Sequence, residues 1–241
     1  MKLHFSVASK KATAFYLLGL ALNHGSFPST TAKERKMFSK TSKNKRLPPY
    51  IVPSSYQLYG SLKASILSGK STLLDSIFKK TFKQLNGVEI RGVTRHKANV
   101  LQKSLRILYD TYREKISLFF KCQKVRQDIE FHVYVLPDFG ERAESLPNAI
   151  VIGDAFHKKI AFAVVMEEFL HALYGRGFIK MAVSPKTKDK NLWEEAVVGT
   201  ILFQLLASIG YDKNVSKSIV FGWQSGKREK LVEKLLKILS E

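Results

Sequence analysis

Residues 164–173 read Val164-Val165-Met166-Glu167-Glu168-Phe169-Leu170-His171-Ala172-Leu173, apolar at every place but three. The apolar positions of residues 160–174 run too densely and too long for an alternating strand, so the spacing predicts a buried helix. Gly175-Arg176-Gly177 follows as a natural stop. A helix stacks residues four apart on one face, which points Glu167 and His171 the same way and sets Glu168 beside them. Carboxylates in the middle of such a helix are costly unless they are paired. The stretch therefore demands a partner that can neutralise or bind it.

Downstream, residues 192–209 (LWEEAVVGTILFQLLASI) predict a second buried helix, with Glu194 and Glu195 in its first turn. Upstream, residues 129–136 (IEFHVYVL) alternate and are rich in β-formers, so they predict a strand. Residues 137–147 read as a polar loop and residues 148–153 (NAIVIG) as a second short strand. Earlier still, residues 59–86 and 97–124 place apolar side chains at helical spacing, among them Leu101, Leu105, Leu108, Tyr112, Ile116 and Phe119. Two amphipathic helices are expected there, their aromatic residues in the core. Ser68-Gly69-Lys70-Ser71-Thr72 looks like the end of a phosphate-binding loop, but the glycine that should open it is Ala64, and no buried strand comes before. Nucleotide binding is not expected.

Residues 1–26 put Lys2, Lys10 and Lys11 ahead of an apolar run from Ala12 to Leu22. That run is too short to span a bilayer but fits the core of a secretory signal peptide. Export is the expectation, with mitochondrial import as the alternative because no acid precedes Glu34. Residues 27–58 shift to Ser, Thr, Lys and Pro and read as a basic linker, leaving 59–241 as the folded domain.

The net charge of +20 on 241 residues is unevenly distributed. Residues 128–212 hold eight basic and twelve acidic residues, whereas the rest of the chain is strongly basic. Glu167, Glu168, Glu194 and Glu195 thus sit in the one acidic block of a basic protein. Such a block suits a metal ion, and the basic remainder suits nucleic acid, an anionic membrane surface or an acidic protein partner. The single cysteine, Cys122, excludes an internal disulfide and a cysteine-based zinc cluster, and is expected in the core or half-buried.

In its order of elements, this region resembles the gluzincin metallopeptidases of the HtpX and CAAX prenyl protease type. The resemblance covers residues 129–212 and rests on the strand with Asn148-Ala149 and on Glu167-Glu168-Phe169-Leu170-His171 in the place of H-E-x-x-H. It extends to the later helix with Glu194-Glu195-Ala196 and the turn Ser208-Ile209-Gly210-Tyr211-Asp212. It departs from the family where Glu167 replaces the first histidine, and where Val197 or Val198 stands in place of an acid.

The resemblance implies an α+β, zincin-like fold with a mostly helical core and a small sheet. It further implies a metal held by Glu167, His171 and either Glu194 or Glu195, with Glu168 as general base in the hydrolysis of a peptide or protein substrate. Zinc is the expected ion, and the carboxylate at 167 makes manganese or iron an alternative. No small-molecule cofactor is expected. A degenerate relative without activity fits the same residues, as does a non-catalytic basic binding protein in which the helix dipole stabilises Glu194 and Glu195. A di-iron bundle on Glu168-x-x-His171 lacks the second E-x-x-H it requires. His157 and His132 are the remaining histidines of the acidic block, with His157 expected as an exposed loop residue.

Overall fold

The computed structural model describes residues 1–9, 13, 95–137, 139–146, 148–179, 187–222 and 226–240. Its elements are β1 (Lys2–Val7), α1 (Arg95–Cys122), β2 (Glu130–Leu136), β3 (Ala143–Leu146), β4 (Ala149–Gly153), α2 (Lys158–Gly175), α3 (Lys190–Ser208), α4 (Lys213–Gly222) and α5 (Gly226–Ser240). The strands form one mixed sheet in the order β1-β2-β4-β3. β1, β2 and β4 run parallel and β3 runs antiparallel to β4. The architecture is α+β, as the sequence predicts. Among the described residues, no helix is long and apolar enough to cross a membrane.

Central strands covered on both faces need apolar residues at consecutive positions, and β4 has them: Ala149, Ile150, Val151 and Ile152 are all buried. The amphipathic α1 packs on β1 and β2 through Leu101, Leu105, Tyr109, Ile116 and Phe120. Leu108, Tyr112 and Phe119 are partly buried against the same core.

Helix α2 is apolar nearly all round, which suits a helix packed on the sheet, α1, α3 and α4 at once. Phe169 meets the rings of Phe131 and Phe120 edge-on at 5.0 Å and 5.7 Å. These contacts fix the rotation of α2, so that Glu167 and His171, on the opposite side, turn away from the sheet. Gly177, at φ +69°, takes the left-handed turn that ends this segment, and Phe178 N–H returns to the carbonyl of Leu173.

Several expectations change. β3 lies inside residues 137–147, expected to be a loop; four residues with Glu144 and Ser145 at the centre carry too little β-propensity to register. β1 lies within the stretch assigned to a leader and outside the expected domain 59–241. Its alternation of Lys2, His4 and Ser6 with Leu3, Phe5 and Val7 is a strand pattern that the longer apolar run after it obscures. α4 and α5 follow the last predicted helix. Cys122, expected in the core or half-buried, is the exposed last residue of α1. Glu194 and Glu195 lie beyond the first turn of α3, which begins at Lys190 and is capped by Asp189 accepting the N–H groups of Asn191 and Leu192. The dipole argument for these two acids therefore lapses. The expected linker 27–58, the expected helix 59–86 and the loop at residues 68–72 lie outside the described residues, as does most of the expected leader.

Candidate metal centre

The outward side of α2 forms one wall of a cleft of about 370 Å³, with β3 and the start of α3 as the others. Its lining comprises Glu144 and Ser145 of β3, Glu168 and His171 of α2, and Glu194 and Glu195 of α3. Elements distant in sequence thus bring four of the five candidate residues to the cleft, and Glu167 joins His171 and Glu195 behind it. The N-cap at Asp189 starts α3 at Lys190, and the packing of α3 on α2 turns Glu194 and Glu195 toward His171.

Glu167, His171 and Glu195 each offer one ligand atom, and these atoms all lie within 4.8 Å of one another. Glu194 has a different role: its Oε1 lies 2.9 Å from His171 Nδ1, while His171 Nε2 faces Glu195 Oε1 at 3.7 Å. A carboxylate accepting from Nδ1–H leaves Nε2 as the coordinating nitrogen, the arrangement that orients metal-binding histidines in general. Burial disfavours a charged His171, yet the Glu194 hydrogen bond and the charges of Glu195, Glu168 and Glu167 raise its pKa.

Glu168 points into the cleft, where burial pushes its pKa from 4.5 to about 7. His171 opposes that rise, neighbouring Glu167 adds to it, and the Ser145 side chain, hydrogen-bonded to the Glu168 carboxyl, moderates it. A carboxyl poised near neutrality can exchange a proton in either direction. No family model matches the chain, and no curated protein or solved structure is significantly similar to it.

One residue of the site went unpredicted. Arg228, near the start of α5, is 1% exposed and lies behind the carboxylates. Its Nη2 donates to Glu167 Oε1 at 2.8 Å and lies 3.6 Å from Glu195 Oε2, while Nε donates to the backbone carbonyl of Glu195 at 3.2 Å. Burial leaves the Glu167 pKa raised, and Arg228 offsets only part of that rise. The signal was present in the sequence: Arg228, Val232 and Leu235 recur at helical spacing, and all three are buried. Gly199, one turn beyond Glu195, leaves the room; a Cβ there would stand 3.2 Å from Arg228 Nη2. His157 is an exposed residue at the start of α2, and His132 stacks on His4 at 5.1 Å on the exposed face of the sheet.

Two carboxylates and an imidazole form a donor set that divalent zinc, manganese or iron accepts. Glu194 on His171 Nδ1 leaves Nε2 facing Glu195, which suits that donor set. Arg228 engages Oε1 of Glu167 and Oε2 of Glu195, whereas His171 faces Oε1 of Glu195.

Proposed function

We propose that the protein is a zincin-like metallopeptidase, with Glu167, His171 and Glu195 around a divalent ion, zinc foremost, and Glu168 as the general base. The observation that carries this reading is Glu168 itself, poised near pH 7 at the mouth of a cleft beside the ligand cluster. Such an ion would polarise the scissile carbonyl and acidify the attacking water. Glu168 takes the proton of that water and returns it to the leaving amine, which needs a carboxyl able to hold and release a proton at neutral pH. Glu194 keeps His171 in register.

The substrate class follows from β3. It ends the sheet beside β4 and lines the cleft with Ala143, Glu144 and Ser145. An extended peptide adding to that edge would run past Glu168 and His171, with main-chain hydrogen bonds supplying affinity.

One observation favours a second reading, a metal-free relative without activity: Arg228 already offsets one of the two negative charges of the Glu167–Glu195 pair. Metal analysis of the purified protein, paired with cleavage assays on unstructured peptides and Glu168→Gln, separates the two. Stoichiometric metal, with cleavage reduced at least about 100-fold in Glu168→Gln, is expected. Protein that neither retains nor takes up zinc, manganese or iron would exclude the first reading.

A further inference from the structure

A carboxylate at 167 adds one negative charge to a set that histidine would leave neutral at that place. Glu167 and Glu195 carry two negative charges when ionised, and a neutral His171 carries none. Behind them lies the guanidinium of Arg228, which does not lose its proton in proteins. With Arg228 counted, the group carries a net −1, the same as two histidines and one glutamate.

We propose that Arg228 is the charge-balancing residue of this centre, offsetting the carboxylate at position 167 so that a dication meets the same net charge as in a site with histidine there. This rests on the metal-binding reading above. A guanidinium that is 1% exposed requires anionic partners, since burying an unpaired charge costs several kcal/mol. The sequence meets this need from three elements: Glu167 on α2, Glu195 on α3 and the α5 register that buries Val232 and Leu235. The planar fork of arginine reaches a carboxylate and a backbone carbonyl at once, a geometry that lysine does not offer. Gly199 completes the fit, because a side chain there would press on the guanidinium. Arg228 is a positioning residue that acts through Glu167 and Glu195, not a group that touches substrate.

The test is zinc affinity, measured on stripped protein at pH 8 by competition with a chromophoric chelator. A purely structural Arg228 predicts weaker binding when it is removed, whereas charge balance predicts tighter binding. Arg228→Gln should bind zinc about ten-fold more tightly or better, because a cation beside the dication is gone. Arg228→Lys, which keeps the charge, should stay within about three-fold of the wild type. The same tightening should separate Glu167→His/Arg228→Gln from Glu167→His, a comparison that carries the test if Arg228→Gln alone does not fold. Zinc bound by the wild type and equally or less tightly by Arg228→Gln would overturn the role of Arg228 and leave the metal site standing. Zinc bound by no variant would overturn the metal reading itself. Zinc bound by Arg228→Gln but not by the wild type would overturn both, with Arg228 as the cation that has replaced the ion.

Discussion

Glu167 and Glu168 are adjacent on one helix and both largely buried, yet they belong to opposite walls of the site. The rear wall sets Glu167 against a fixed cation, Arg228, at 2.8 Å. The front wall gives Glu168 a hydroxyl, a neighbouring histidine and an opening toward the edge of the sheet. Burial raises the pKa of both carboxyls, but only the rear one is held by a permanent charge. One peptide step along α2 therefore separates a carboxyl paired with a permanent cation from one that faces the open cleft. The difference arises from α5 and β3, not from α2.

The largest effect should come from breaking the rear wall. In metal-free protein at pH 8, Arg228→Gln leaves two close carboxylates without their cation, at an expected loss of about 3–5 kcal/mol in urea denaturation. The loss should shrink at pH 5, where Glu167 can take a proton in place of its lost partner. An equal loss at both pH values would mean that the Arg228 side chain acts by packing alone.

Breaking the front wall should do the reverse. The folded protein holds the Glu168 proton up to about pH 7, whereas the unfolded chain releases it near 4.5. Between those values the folded state binds more protons, so stability falls as pH rises across the window, by about 3 kcal/mol for this group. His171 acts in the same direction: its raised pKa stabilises the metal-free fold below 6.5, and that contribution fades as pH climbs through the folded value. Glu168→Gln should therefore be neutral at pH 4 and more stable than the wild type by about 3 kcal/mol at pH 8, retaining the parts of the slope due to His171 and Glu167. A variant that melts lower than the wild type at pH 8 would show that the front carboxylate has a buried partner after all.

Most of the acids and the histidine of the site are legible in the sequence, because they rest on short-range periodicity. Glu167, Glu168 and His171 on one helix, and Glu194 with Glu195 on the next, follow from apolar spacing alone. What spacing does not settle is the division of labour between Glu194 and Glu195, which depends on how α3 packs against α2. The cap at Asp189 starts α3 at Lys190 and carries the pair out of the first turn, and the packing on α2 sets one acid on His171 Nδ1 and the other among the ligand atoms. The rear wall is less legible for a different reason. Arg228 is 61 residues from Glu167, and an arginine in a Lys-rich segment resembles solvated charge until its register with Val232 and Leu235 is noticed. β3 escapes notice because a short strand draws its stability from its neighbour β4 and shows little of it in its own composition, whereas the alternation of β1 is masked by the apolar run that follows it.

The finest distinction between the walls lies in Ser145, and it produces the smallest effect. Its hydrogen bond lowers the pKa of Glu168 against the larger pull of burial, because it favours the charged form. Removing the hydroxyl in Ser145→Ala should cost about 1 kcal/mol or less at pH 8, where the carboxylate loses a donor, and almost nothing at pH 5, where the neutral carboxyl needs none. The pH at which stability starts to level off should move upward, since Glu168 would keep its proton longer. The window can be followed by thermal melts at half-unit intervals from pH 4 to 9, with Glu168→Gln as the background in which the effect must vanish. If Ser145→Ala shifted the curve equally in that background, the hydroxyl would be stabilising β3 rather than tuning Glu168, and the front wall would be a scaffold like the rear one.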